Sequence, residues 1–164
     1  HIAAQAKLRS CVLEEFCGYL LKDIPEIARL NLDFFNKGVF AGITLDRRGN
    51  AKIKTKDIDF CIGKKFDVSI EESQYHLIIP VIAIECKTYI DKTMLSEAQF
   101  TAQKMKQGSP NVMVYCIAER NEIDIDEIPT KGRTPLDQIF IIRGKESNSV
   151  NSKAVFDFFT EIKR

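Results

Sequence analysis

The stretch VIAIECKTYIDKT, Val81 to Thr93, limits the possible folds more than any other part of the chain. Val81, Ile82 and Ile84 are β-branched, so LIIPVIAIECK reads as a strand packed in a core. Pro80 belongs near its start, where a missing ladder donor is tolerated. Yet Glu85 and Lys87 stand in the same run. Side chains alternate along a strand, so Val81, Ala83, Glu85 and Lys87 share one face, and Ile82, Ile84 and Cys86 the other. An isolated charge in such a strand costs several kcal/mol. It is tolerated where charges pair, bind a metal or reach solvent. The C-terminal end of a strand in an open α/β sheet is a common place for such a site.

The rest of the pattern surrounds this strand with alternating elements. The 164 residues suit one domain with one core, residues 1–164. A helix is expected from about Ala3 to Lys22, with Leu8, Val12, Phe16, Tyr19 and Leu20 as its apolar stripe and Pro25 just beyond. DIPEIARLNLDFFNKG reads as a loop or a short helix, and VFAGITL as a strand. RRGN is a turn signal, and AKIKTKDIDFCIG gives two short extended pieces. DKTMLSEAQFTAQKMKQ reads as a helix buried through Met94, Ala98, Ala102 and Met105, with stop signals at Gly108 and Pro110. NVMVYCIAE and DQIFIIR are further strands, and SKAVFDFFTEIK a closing amphipathic helix. The fold class is therefore α/β, a mixed central sheet flanked by helices. The helix between VIAIECK and NVMVYCIAE makes a crossover, so those two strands should be parallel.

Composition excludes several classes. Hydrophobic residues make up 45% and charged residues 29% of the chain, ordinary for a globular protein. No apolar run approaches the roughly 18 residues of a spanning helix, and no signal-peptide pattern opens the sequence. The chain begins with His1, which suggests a trimmed or excised domain. Five cysteines without a CxxC spacing read as reduced core residues in a reducing, cytoplasmic setting. With two histidines and no finger spacing, a zinc site is not expected. The net charge of +1 is unevenly spread. Arg47 to Lys65 is strongly basic and Glu119 to Glu127 acidic; charge alone favours solvated faces for both.

Glu-x-Lys is uninformative as a bare motif, since chance predicts roughly one in a chain of this composition. A second copy, Glu161-x-Lys163, lies in the last helix and reads as solvated. Context separates them: only the first copy follows a buried strand and precedes a helix. A second acidic element strengthens it. KTKDIDFCIG places Asp57 and Asp59 on one face of an extended piece. If that piece pairs with the Glu85 strand, two carboxylates can converge on one hard cation.

Asp59 in DIDFCI, then Glu85-Cys86-Lys87 in IAIECKTYIDKTM, then a helix and a strand, resembles the PD-(D/E)XK nuclease superfamily. The order resembles its αβββαβ core over about residues 3–120, leaving the C-terminal strand and helix at about 137–163 outside it. Within the superfamily, ECKTYIDKTMLSEA is most similar to type II restriction endonucleases. Ile58 stands where that pattern has Pro, which keeps Asp57 as a competitor of Asp59. The resemblance implies a Mg²⁺-dependent endonuclease. Asp59, Glu85 and the Cys86 carbonyl would hold the metal, which would polarise the phosphodiester and activate water. Lys87, with a pKa that burial can lower, would orient or deprotonate that water and stabilise growing charge. Glu15, at the edge of the first helix's stripe, is a candidate accessory ligand, with an ordinary boundary glutamate the plainer reading. Arg47, Arg48, Lys52, Lys54 and Lys56 would contact DNA phosphates. Gln99 and Gln103 could face DNA, though a solvated helix face serves them equally well. Base-reading residues are guesses, in RRGN or between Asn121 and Leu136.

The implied partners are double-stranded DNA and a second copy of the chain, since palindromic sites favour symmetric dimers. The rivals are a repair or junction-resolving nuclease of the same superfamily, and a non-catalytic DNA-binding domain of the same fold. Loss of Asp59, Glu85 or Lys87 would mark the latter, and all three are present.

Overall fold

The strand carrying Glu85 is much longer than its apolar run. The computed structural model describes residues 2–124, 128–129, 132–143 and 149–164, with side chains from residue 11 onward. Its elements are α1 Ile2–Leu21, α2 Pro25–Arg29, β1 Asp33–Phe35, β2 Val39–Leu45, β3 Ala51–Lys56, β4 Phe60–Ile70, β5 Ser73–Ile90, α3 Lys92–Gly108, β6 Met113–Asn121, β7 Gln138–Ile141 and α4 Ser152–Lys163. The 18 residues of β5 form the spine. Antiparallel β4 runs along it from Phe60 opposite Ile84 to Ile70 opposite Ser73. On its other side β5 pairs in parallel with β2 at Val39–Ile78, and with β6 from Ile82–Met113 to Ile90–Asn121. β1 and β3 are the ends of the β1-β4-β5-β2-β3 path, and β7 continues in parallel from β6.

The sheet is thus mixed and flanked by helices, and β5-α3-β6 is the expected parallel crossover. The distal part of the β4–β5 hairpin, around KKFDVSIEESQYH, is not signalled by the sequence. It is polar and exposed, and Glu71 turns the chain with a left-handed φ of 56°, where glycine is the usual signal. Asp67 and His76 pair across it.

Two cores sit on opposite faces. On one, α3 buries Leu95, Ala98, Ala102 and Met105 against Ala83, Val114, Cys116 and Ala118. On the other, α1 and α4 bury Leu13, Cys17, Leu21, Phe158 and Ile162 against Phe60, Ile84, Cys86 and Ile117. Alternation along β5 therefore holds: Ala83 looks to α3, and Ile84 and Cys86 to α1. The expected stripe of α1 holds only in part, with Phe16 and Leu20 packed against this core. Val12 and Tyr19 are 60% and 71% exposed, whereas Leu13, Cys17 and Leu21 are buried. The helix is apolar nearly all round, so spacing alone could not choose its inner face. Four cysteines are buried, Cys11 is exposed, and all five are free thiols. Burial pushes Cys61 and Cys116 up to about 12, which keeps both protonated and inert.

Gly108 ends α3, as its stop signal led one to expect, and it also has a packing role. Its missing side chain lets the helix end touch β2 at the bulge between Phe40 and Gly42. A Cβ there would lie 2.0 Å from the carbonyl carbon and oxygen of Ala41. Gly108→Ala must therefore push helix and strand apart. The expected loss is about 3 kcal/mol, a fall in melting temperature of roughly 6–12 °C, read by calorimetry. An unchanged melting temperature would show that the two elements are not in contact.

Candidate active site

Glu85 lies within β5 rather than at its end, which comes only at Ile90. It pairs with Cys116 of β6 and Lys87 with Ala118, while on the other side β4 begins only opposite Ile84, which leaves that edge to the connection bearing Asp59. Glu85 is 7% exposed. Its Oε2 receives Lys87 Nζ at 2.9 Å, the contact that alternation allows between residues two apart on one strand face. Solvent at a strand end is therefore not what tolerates the pair.

Asp57 and Asp59 do not lie on a strand. They fall in the connection between β3 and β4, anchored by buried Ile58. The Asp57 carboxylate accepts the Gly38 N–H at 3.0 Å and so holds the turn before β2. Asp59 reaches the other way. Its Oδ2 accepts the Cys86 N–H at 2.8 Å, which ties the start of β4 to the main chain between Glu85 and Lys87. Of the two competing acids, Asp59 is the one beside Glu85.

Electrostatics follow from this crowding. Burial pushes the Glu85 carboxyl up; Lys87 opposes this, the Asp59 charge adds to it, and Lys56 pulls weakly downward. Burial alone would lower Lys87, but the Glu85 charge, its hydrogen bond and the Asp59 charge hold the ammonium above its ordinary value. The lowered lysine foreseen from burial is thus not found. The two partners' directions conflict, one toward a neutral carboxyl and one toward a charged amine. The 2.9 Å contact with a second carboxylate close by favours the charged Lys87.

Hard oxygens from two converging carboxylates are the donor set that suits Mg²⁺, which commonly keeps several waters and takes only one or two carboxylates. Asp59 Oδ1 and Glu85 Oε1 lie outside the contacts above. Among the described residues no group of three or more acidic, His or Cys side chains gathers tightly enough to enclose an ion. Any further ligands must therefore be main-chain oxygens or water. The Cys86 side chain has no place here: its thiol faces Cys17 in the opposite core.

The α1 acid facing this region is Glu14, not Glu15. Glu15 is exposed, while Glu14 lines a cavity of about 250 Å³ with Cys11, Asn36, Lys37, Asp57, Ile58 and Asp59. The one-residue error has the same origin as the misplaced stripe of α1, because a helix turned by one residue swaps adjacent side chains. The second Glu-x-Lys is also not as expected. Glu161 is half-buried, 3.4 Å from the Tyr115 hydroxyl and 3.3 Å from Arg164, so it is engaged rather than solvated.

The basic residues sit on the β2–β3 hairpin. The Asp46 side chain accepts from Arg48 N, Asn50 N and Asn50 Nδ2, which fixes the turn presenting Arg47 and Arg48. Lys52, Lys54 and Lys56 follow on edge strand β3, alternate residues and so on one face. Gln99 is half-buried and Gln103 exposed on α3. The guessed base-reading segment 121–136 lies partly outside the described residues.

The family model of Bpu10I restriction endonuclease matches residues 5–164 of the sequence. No curated protein matches it. A solved structure described as native BbvCI A2B2 tetramer at low resolution is similar in fold, with a TM-score of 0.59 and 23% identity. The match covers 79% of this chain and 60% of that one, so the chain spans somewhat over half of its structural neighbour.

Proposed function

Because the chain belongs to the Bpu10I restriction endonuclease family, we propose that it is a Mg²⁺-dependent type II enzyme, a single nuclease domain that cleaves double-stranded DNA at a specific sequence. The convergence of Asp59 on the β5 segment holding Glu85 and Lys87 carries the proposal: residues 27 apart in the chain meet at 2.8 Å. Asp59 and Glu85, with the Cys86 carbonyl, hold the cation, which supplies Lewis-acid polarisation of the phosphodiester and activation of water. Lys87, kept charged by Glu85, places an ammonium where negative charge grows on the phosphoryl oxygens. Arg47, Arg48, Lys52, Lys54 and Lys56 bind phosphates and fix the duplex. Glu14, rather than Glu15, is the α1 acid that lines the cavity beside Asp59.

Incubation of the protein with plasmid DNA, with and without Mg²⁺, followed by sequencing of the ends, tests this directly. Metal-dependent ends at one short sequence are expected. Cleavage only of branched or damaged DNA would support a repair or junction-resolving nuclease instead, and binding without any cleavage a non-catalytic domain.

A homodimer is the proposed assembly, because a symmetric pair matches a palindrome. A second reading draws on the structural neighbour, described as an A2B2 tetramer: an assembly with a second kind of chain. Light scattering of this chain alone distinguishes them. A monomer that cuts only one strand would favour the second.

Cys86 contributes main chain only, so Cys86→Ala should retain cleavage within about threefold at a stability cost on the order of 1 kcal/mol. Plasmid assays and thermal melts check this. Loss of cleavage in a folded Cys86→Ala would assign the thiol a part in the chemistry.

A further inference from the structure

A cavity of about 740 Å³ opens between the β2–β3 hairpin and the C-terminal end of α3. Lys52, Lys54 and Lys56 line it from β3, and Lys104 and Gln107 from α3. No carboxylate lines it, and none of the four lysines forms an ion pair among the described residues. Phe40, Ile43 and Ile53 add apolar wall, and Ile43 is 51% exposed. Four cations around one concavity repel each other, and an anionic ligand removes that repulsion.

Lysines on an edge strand have a plainer use, since they discourage pairing with other chains. That accounts for β3 but not for Lys104, which comes from a helix and lines the same cavity. Lys104 is also held in place, its ammonium 5.3 Å from the centre of the Phe100 ring. The row has a direction as well. Its Lys56 end lies close enough for its charge to act on Glu85, and its Lys52 end leads to the turn bearing Arg47 and Arg48. Extended backbone spaces alternate residues about 7 Å apart, comparable to the step between neighbouring phosphates of a nucleic-acid strand. Apolar wall between cations suits the sugar–phosphate backbone, which alternates charge with carbon.

We infer that this cavity is a groove for the backbone of one strand of a DNA duplex, with Lys104 and Gln107 as its second wall. The inference rests on the nuclease reading and adds to it the path of a strand and two α3 residues. Gly108 sets the groove's width, because α3 approaches β2 as closely as it does only without a Cβ there.

Fluorescence anisotropy of labelled duplexes at several salt concentrations, in EDTA, tests this alongside metal-dependent plasmid cleavage. Lys104→Ala should weaken binding equally for unrelated sequences and make the slope of log affinity against log salt shallower by about 1. Lys104→Glu should weaken binding further. Lys153→Ala, on the exposed start of α4, should match the wild type. Wild-type affinity and slope in Lys104→Ala overturn the groove, as does an altered sequence preference. If the wild type still cuts plasmid, the nuclease reading survives that failure; a wild type that neither binds nor cuts overturns both.

Discussion

Lys87→Ala loses DNA cleavage by roughly 10²–10⁴-fold, the range for removing a positioned charge or proton-transfer group from a reacting centre, while binding duplex about as well as the wild type. The residue is fixed from several sides. It sits within β5 opposite Ala118, reaches Glu85 at 2.9 Å and feels the Asp59 charge. Its ammonium is thus held beside both proposed metal ligands before substrate arrives, and little reorganisation is needed as charge develops. Truncation also leaves Glu85 buried without its nearest cation, which a carboxyl answers by taking up a proton. Thermal melting must accompany the assay, since Lys87 contributes to the pairing of a buried acid. Lys87→Arg should not restore activity, because a planar guanidinium replaces a compact ammonium placed against buried Glu85. Single-turnover cleavage at saturating DNA isolates the chemical step. A folded Lys87→Ala that cuts within tenfold of the wild type removes Lys87 from the mechanism.

The second large effect is expected at Asp59. Asp59→Asn keeps an oxygen able to accept the Cys86 N–H and so preserves the tie between β4 and β5, but it removes one of two anionic charges facing the cation. Cleavage should fall on the order of 10³-fold, and calorimetry should show weaker Mg²⁺ binding with the melting temperature nearly unchanged. Asp57→Asn is the internal contrast. Its carboxylate holds Gly38 N–H, a contact that an amide oxygen can also make, so cleavage should stay near wild type. Reversed results for the two would make Asp57 the ligand. Asp59→Asn combined with Lys87→Ala should be little worse than either alone, because groups that act as one unit do not contribute additively.

Much of this site was legible in the sequence for a definite reason. A strand with both faces covered must alternate, so Glu85 and Lys87 had to share a face with Ala83, away from Ile84 and Cys86. The crossover from β5 through α3 to β6 followed from the same periodicity. Glu14 was not legible, and neither was the inner face of α1. Val12, Leu13, Phe16, Cys17, Tyr19, Leu20 and Leu21 surround that helix with apolar groups, and only packing against Phe60, Ile84 and Cys86 selects Leu13, Cys17 and Leu21. The far part of the β4–β5 hairpin was hidden because its polar, exposed residues carry no burial pattern. Lys104 was hidden because the cavity it lines is formed by segments about fifty residues apart.

The sequence by itself determined the local periods of its strongly patterned stretches, among them the core part of β5, α3 and β6, and which face of β5 bears the charges. Tertiary structure decided what those charges meet. Asp59 touches the Cys86 main chain only because β4 pairs antiparallel with β5, and Lys104 lines one cavity with the β3 lysines only because Gly108 lets α3 rest on β2. The physical reason is one of range. Backbone geometry and side-chain alternation act over a few residues and leave their period in the sequence. Contacts between distant segments depend on register, helix rotation and close approach, and these are set by packing of the whole domain.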